Sequence, residues 1–188
     1  MGRQLINNTD TNPDGLTEGS NKINQMTEEL YAPAFGLYNY NHGGGNQSLS
    51  ANVWNQIVND GAGQFTYLDY AMPNVDIYNT NNSNLDFSDL LLGDSIDIRF
   101  DGIITTNTAN QSVSVRAMLD VGGVGVPLEF IRNTYKVSGT YPLFGSVRID
   151  MLTEEVRSGI SRLEIMSDGG ATLDLNGWNI KVNSRLKG

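Results

Sequence analysis

The 188-residue chain contains no cysteine, which excludes disulfides, thiolate chemistry and any cysteine-based zinc site. It has a single histidine, His42, followed by three glycines. The letters HGGG resemble the oxyanion loop of lipases, yet no G-x-S-x-G elbow accompanies them, and a triad would need a second histidine as base. The glycine run reads instead as a flexible connection. Only 18% of residues are charged, and no apolar run approaches the length of a membrane span. The start, MGRQLINNTDTN, lacks the hydrophobic stretch of a secretory signal and the serine or threonine of a myristoylation site. Synthesis in a cytoplasm without standard export is the expectation. A net charge of −9 argues against nucleic acid or an anionic membrane surface as partner. P-loop and dinucleotide fingerprints are missing too, since no helical pattern follows the GGVGVP turn at 122–127. No cofactor is expected.

What takes the place of charge is asparagine, glycine, serine and threonine, a composition suited to turns and to the polar faces of sheets. One stretch departs from it. GSNKINQMTEELYAP, residues 19–33, predicts a helix: Ser20 caps it, Ile23, Met26 and Leu30 share a face, and Pro33 stops it. A helix this short is barely stable alone in water, so its apolar stripe must pack on the chain's own sheet or on another protein. Before it, Asp10, Asn12 and Asp14 alternate like calcium ligands ahead of Gly15. The closing glutamate of such a loop is replaced by Asn21, and turn chemistry explains the stretch without a metal. Residues 32–48 read as a linker. The division expected is an N-terminal arm over 1–46, carrying the short helix and the Gly-rich linker, and a head domain over 47–188.

Period-2 alternation dominates the head. Ile96, Ile98 and Phe100 alternate with Asp97, Arg99 and Asp101. Val113, Val115, Ala117 and Leu119 fall on one face, as do Val147, Ile149 and Met151 against Arg148 and Asp150. SRLEIMS, ATLDL and WNIKV continue the pattern, with Asn176–Gly177 between the last two as a hairpin or bulge signal. FTYLDYA and LEFIR are further candidates. Eight to ten short strands, apolar on one face and polar on the other, predict a mainly β chain: an antiparallel β-sandwich or jelly roll, preceded by an extended arm and one short helix.

No constellation in this pattern points to catalysis. Asp97, Asp101 and Asp150 lie on polar strand faces, where solvation and cross-strand pairing with Arg99 or Arg148 explain them. Tyr38, Tyr40, Tyr67, Tyr70 and Tyr78 suit a sugar site or core and interface positions equally well, and Trp54 and Trp178 read as core. The chain is not expected to be an enzyme.

Two regions carry a resemblance. DGLTEGSNKINQMTEELY (14–31) is similar to a segment near the N-termini of bacteriophage virion fibre proteins, where a Gly/Asp turn leads into a helix reading K-I-N-x-N-F-x-E-L-Y. Lys22, Ile23, Asn24, Glu29, Leu30 and Tyr31 match, while Met26 and Thr27 replace the usual Asn-Phe pair. From about Gln47 to Arg185 the chain resembles trimeric tumour necrosis factor-like jelly-roll heads of phage fibres, through SANVWNQIVNDGAGQFT, LLLGDSIDIRFDG and the closing LEIMSDGG…LNGWNIKV. The resemblance implies a non-enzymatic structural protein of the virion: a homotrimeric head, neck or tail fibre or decoration subunit. Ile23, Met26, Leu30 and Tyr31 would dock it on other virion proteins. The alternative is a receptor-binding module that reads host glycan or protein with the loops at 79–84, 105–112 and 122–127. A polysaccharide hydrolase is the third reading.

Overall fold

A computed structural model describes residues 35–184 of the chain. The expected attachment helix, its docking residues Ile23, Met26, Leu30 and Tyr31, and the calcium-like loop around Asp10 lie outside the described residues.

Among the described residues twelve strands and one short helix follow in order: β1 (Phe35–Asn41), β2 (Gln47–Leu49), β3 (Asn55–Gln56), β4 (Tyr67–Tyr70), β5 (Tyr78–Asn79), β6 (Asn84–Asp86), β7 (Ser95–Thr106), β8 (Gln111–Val121), β9 (Val124–Tyr135), β10 (Gly139–Asp150), α1 (Glu154–Ser158), β11 (Ile160–Ser167) and β12 (Ala171–Asn183). They form two six-stranded sheets. The first runs β10-β7-β12-β1-β4, with β2 beside β12; the second runs β5-β6-β11-β8-β9, with β3 beside β11. Every strand-to-strand ladder is antiparallel. The chain is the expected β-sandwich of jelly-roll type.

The alternation read from the sequence places the core. Ile96, Ile98, Phe100 and Ile104 of β7 face Val113, Val115, Ala117 and Leu119 of β8 and Leu163 and Ile165 of β11 across the sandwich, all buried. Burying such side chains contributes roughly 1.5–3 kcal/mol each before the entropy of ordering the chain is counted. Tyr40, Tyr78 and Trp178 close one part of the core edge to face, with ring centroids 5.0 and 4.9 Å apart. The hydroxyls of Tyr38 and Tyr78 donate to the carbonyls of Val75 (3.3 Å) and Asn59 (2.7 Å), so their polar ends stay satisfied inside.

Three readings of the sequence are corrected, and the choice left open at Asn176–Gly177 is decided. The boundary between arm and head does not fall at 46/47: Phe35–Asn41 is a full strand of the first sheet, paired with β12, and Tyr38 and Tyr40 belong to the core. Its Asn and Gly content disguised a strand whose apolar residues still alternate. The glycine run after it is no hinge. Gly43 N–H donates to Asp60 Oδ1 (2.8 Å), and the buried Asn59 donates to Tyr40 O (2.8 Å), which ties the run to the NDGAG turn at 59–63. ATLDL and WNIKV are not two strands but one, β12. Odd-numbered residues point inward up to Leu175 and even-numbered ones from Trp178 on, because the ladder with β7 shifts by one residue at Asn176; the bulge alternative is the observed one. Finally, Trp54 is only partly buried. It lies against the Arg116 guanidinium, 3.7 Å from its ring centroid, on the outside of the second sheet.

Candidate functional site

The outer face of the first sheet carries the polar side chains that alternate with the core. Register places them in rows across the strands. Tyr67 of β4, Asn39 of β1, Asn179 of β12, Arg99 of β7 and Ser146 of β10 form one row. The next is Asn41, Gly177, Asp101 and Phe144. At the Asn176 bulge these rows sink into a depression of about 360 Å³, lined by Asn39, Asn41, Arg99, Asp101, Asn176 and Asn179 with the backbone at 177–178.

The bulge makes the depression. An extra residue in one strand kinks it and re-aims a side chain. Here Asn176 is turned outward, where its amide donates to Asp101 Oδ1 at 2.7 Å. Gly177 meets the position with φ +142°, a conformation that favours glycine.

Along one rim, Asn39 and Asn41 hold a loop. Asn39 Nδ2 donates to the carbonyl of Phe65 (2.6 Å) and to Asn41 Oδ1 (3.0 Å), while Asn41 Nδ2 donates to the carbonyl of Gln64 (2.7 Å). Between them they keep Phe65 in a left-handed conformation, φ +74°, which costs a bulky residue on the order of 1–2 kcal/mol. The result is a phenylalanine 72% exposed to solvent. Tyr67 beside it is 39% exposed, and Phe144, across the sheet next to Asp101, is 66% exposed. Aromatic side chains therefore stand on both sides of the polar rows.

Several polar groups in the depression have no partner among the described residues. Among the described residues, the Arg99 guanidinium makes no ion pair: its strand neighbours Asp97 and Asp101 accept hydrogen bonds from Asn183 and Asn176 instead. The Asn179 amide is likewise uncommitted. The expected cross-strand ion pairs of Asp97, Asp101 and Asp150 with Arg99 or Arg148 do not form among the described residues: Arg148 Nε lies 2.9 Å from Asp150 Oδ1 of its own strand.

The other sequence candidates are dispersed. The loop at 107–110 joins β7 to β8, and the two-residue turn Gly122–Gly123 joins β8 to β9; these are opposite ends of the long strand β8. Residues 124–127 are part of β9 rather than loop, and the turn at 80–83 stands beside β3, bonded to Gln56 Nε2 through the carbonyls of Asn82 and Ser83. The three segments form no common surface. His42 Nδ1 lies 3.3 Å from Asp60 Oδ1 and accepts the Asp60 backbone N–H, so the histidine braces a turn. Tyr38, Tyr40 and Tyr78 are core, whereas Tyr67 and Tyr70 are exposed. Among the described residues no group of three His, Cys, Asp or Glu side chains is placed to hold a metal.

No known protein family matches the chain, and no curated protein matches it. Solved structures with a similar fold include Eiger TNF from S. frugiperda, 8% identical over 80% of this chain and 93% of that one, with a TM-score of 0.46. The T13 IBDV viral particle is 10% identical over 80% of this chain and 31% of its own, TM-score 0.45. The CBM22-1 xylan-binding domain of Paenibacillus barcinonensis Xyn10C is 12% identical over 79% and 94%, TM-score 0.38. The fold of this chain is given by the two sheets described above.

Proposed function

We propose that the chain is a non-enzymatic structural subunit of a phage virion, a head, neck or tail fibre or decoration protein. Its jelly-roll head assembles as a homotrimer, and its N-terminal segment anchors it to the particle. The reading joins the resemblance of residues 14–31 to phage fibre segments with one observation on the sandwich. Where the edge strands β9 and β10 of the two sheets adjoin, the side of the sandwich is open. Val124 and Val126 are 65% and 37% exposed there, and Leu128, Phe130 and Val147 are half-buried. The register pairs Val126 with the buried Leu119 and Leu128 with the buried Ala117, so this strip is core-facing surface that one copy leaves uncovered. Contiguous apolar strips of this kind mark interaction surfaces, and cyclic symmetry closes them between identical copies.

Sedimentation equilibrium of the full chain tests the assembly. A mass three times that of the chain is expected, with Val124→Asp plus Val126→Asp giving a folded monomer. A wild-type chain that stays monomeric over a wide concentration range would overturn the trimer.

A further inference from the structure

The geometry points to a carbohydrate-binding site on the outer face of the first sheet, at the Asn176 bulge, for a short oligosaccharide laid across the strands. It is separate from the apolar strip of β9 and from the loops at 79–84, 105–112 and 122–127, and it holds whether or not the chain is part of a virion.

The chemistry of the uncommitted groups selects the ligand. Arg99 offers its guanidinium N–H donors and Asn179 a whole amide. Asn176 retains an N–H and its oxygen, Asn39 retains its oxygen, and Asp101 retains the carboxylate oxygen that Asn176 does not use. Donors and acceptors thus stand side by side in one depression. A sugar hydroxyl both donates and accepts, so a run of hydroxyls can satisfy this mixture. A phosphate only accepts and would meet the Asp101 carboxylate and the amide oxygens unfavourably, and an amine would meet Arg99 in the same way.

A second, independent feature points the same way. Sugar rings have apolar C–H faces as well as hydroxyls, and aromatic side chains cover such faces. Phe65 and Tyr67 stand exposed at one end of the polar rows and Phe144 at the other. Phe65 is held out at the expense of a left-handed backbone, fixed by the same Asn39 that lines the depression. Strain of this sort collects at binding sites. From β4 to β10 the face spans four strand spacings, about 19 Å, room for several sugar units.

An array of neutral and acidic oligosaccharides probed with the full-length chain tests the site. Binding to at least one neutral oligosaccharide is expected. Arg99→Ala and Asn179→Ala, which remove groups that bond to no other described residue, should each weaken it by roughly tenfold to a hundredfold with the melting temperature unchanged. Thr80→Ala and Asn81→Ala, on the turn between β5 and β6, should leave it intact. No binding to any neutral sugar, or binding indifferent to Arg99→Ala and Asn179→Ala, would overturn the inference. Binding restricted to acidic glycans and abolished by inorganic phosphate would overturn it as well, because the site would then be one for anions.

Discussion

Gly177 lies so close to β1 that a β-carbon there would overlap the carbonyl oxygen of Tyr40 and come within 2.8 Å of the Asn41 α-carbon. The β12 bulge depends on this close approach. It lets the strand change the parity of its inward residues, from Leu175 to Trp178, without leaving the sheet, and it turns Asn176 toward Asp101.

Gly177→Ala should therefore cost both a strained backbone and a backbone clash, about 2–3 kcal/mol together, seen as a melting temperature several degrees lower. The Asn176–Asp101 hydrogen bond should be lost with it. Unchanged stability would mean that the bulge is not held by this contact.

Glu164 is a buried carboxylate between two arginines. Arg116 Nη2 lies 2.7 Å from it and Arg162 Nε 2.6 Å. Burial alone would raise its pKa, but the hydrogen bonds and charges of Arg162 and Arg116 outweigh burial and hold it below the ordinary glutamate value. A depressed folded-state value means that the group stabilises the fold fully above the unfolded pKa of about 4.3. That contribution is lost as the pH falls through the folded value. Glu164→Gln should lower stability at neutral pH by about 2–3 kcal/mol, less than for a fully buried pair because Arg162 is half-exposed. It should also flatten the acid limb of the stability profile. Parallel acid limbs in wild type and variant would contradict the assignment.

Ser161 is fully buried in β11, and its hydroxyl has no hydrogen-bond partner among the described residues. Removing an unpaired buried hydroxyl relieves its desolvation cost, so Ser161→Ala should raise stability by about 1 kcal/mol. Denaturant unfolding of the two proteins decides it, and a destabilised variant would mean that the hydroxyl is satisfied.

The core was legible because period-2 alternation is a direct consequence of strand geometry. Ile96, Ile98 and Phe100, and Val113 through Leu119, are buried as the pattern requires. The phase change between Leu175 and Trp178 was legible as well, though a parity switch looks the same whether a chain turns or bulges. The site was mostly hidden. Arg99, Asp101 and Asn179 read as ordinary polar strand positions and Asn39 as part of a linker, and only the pairing of β1, β7 and β12 gathers them. Tyr67 is exposed beside Asn39 on the outer face, whereas Tyr38, Tyr40 and Tyr78, which the sequence does not separate from it, belong to the core. Phe65 left no signal, since a left-handed phenylalanine arises from its clamp by Asn39 and Asn41, residues distant in sequence.

The attachment of the chain to a particle is the claim on which the proposed function stands. Ile23 and Leu30 share the face of the helix that the sequence predicts at 20–31. Virus particles lacking the chain, mixed with wild-type protein or with Ile23→Asp plus Leu30→Asp, can be sedimented and the bound fraction measured. Wild type is expected to pellet with the particles, while the double variant stays in solution with its own melting temperature unchanged, because the new charges are buried unpaired only on docking. A double variant that pellets as fully as wild type, or a wild type that does not pellet at all, would contradict it.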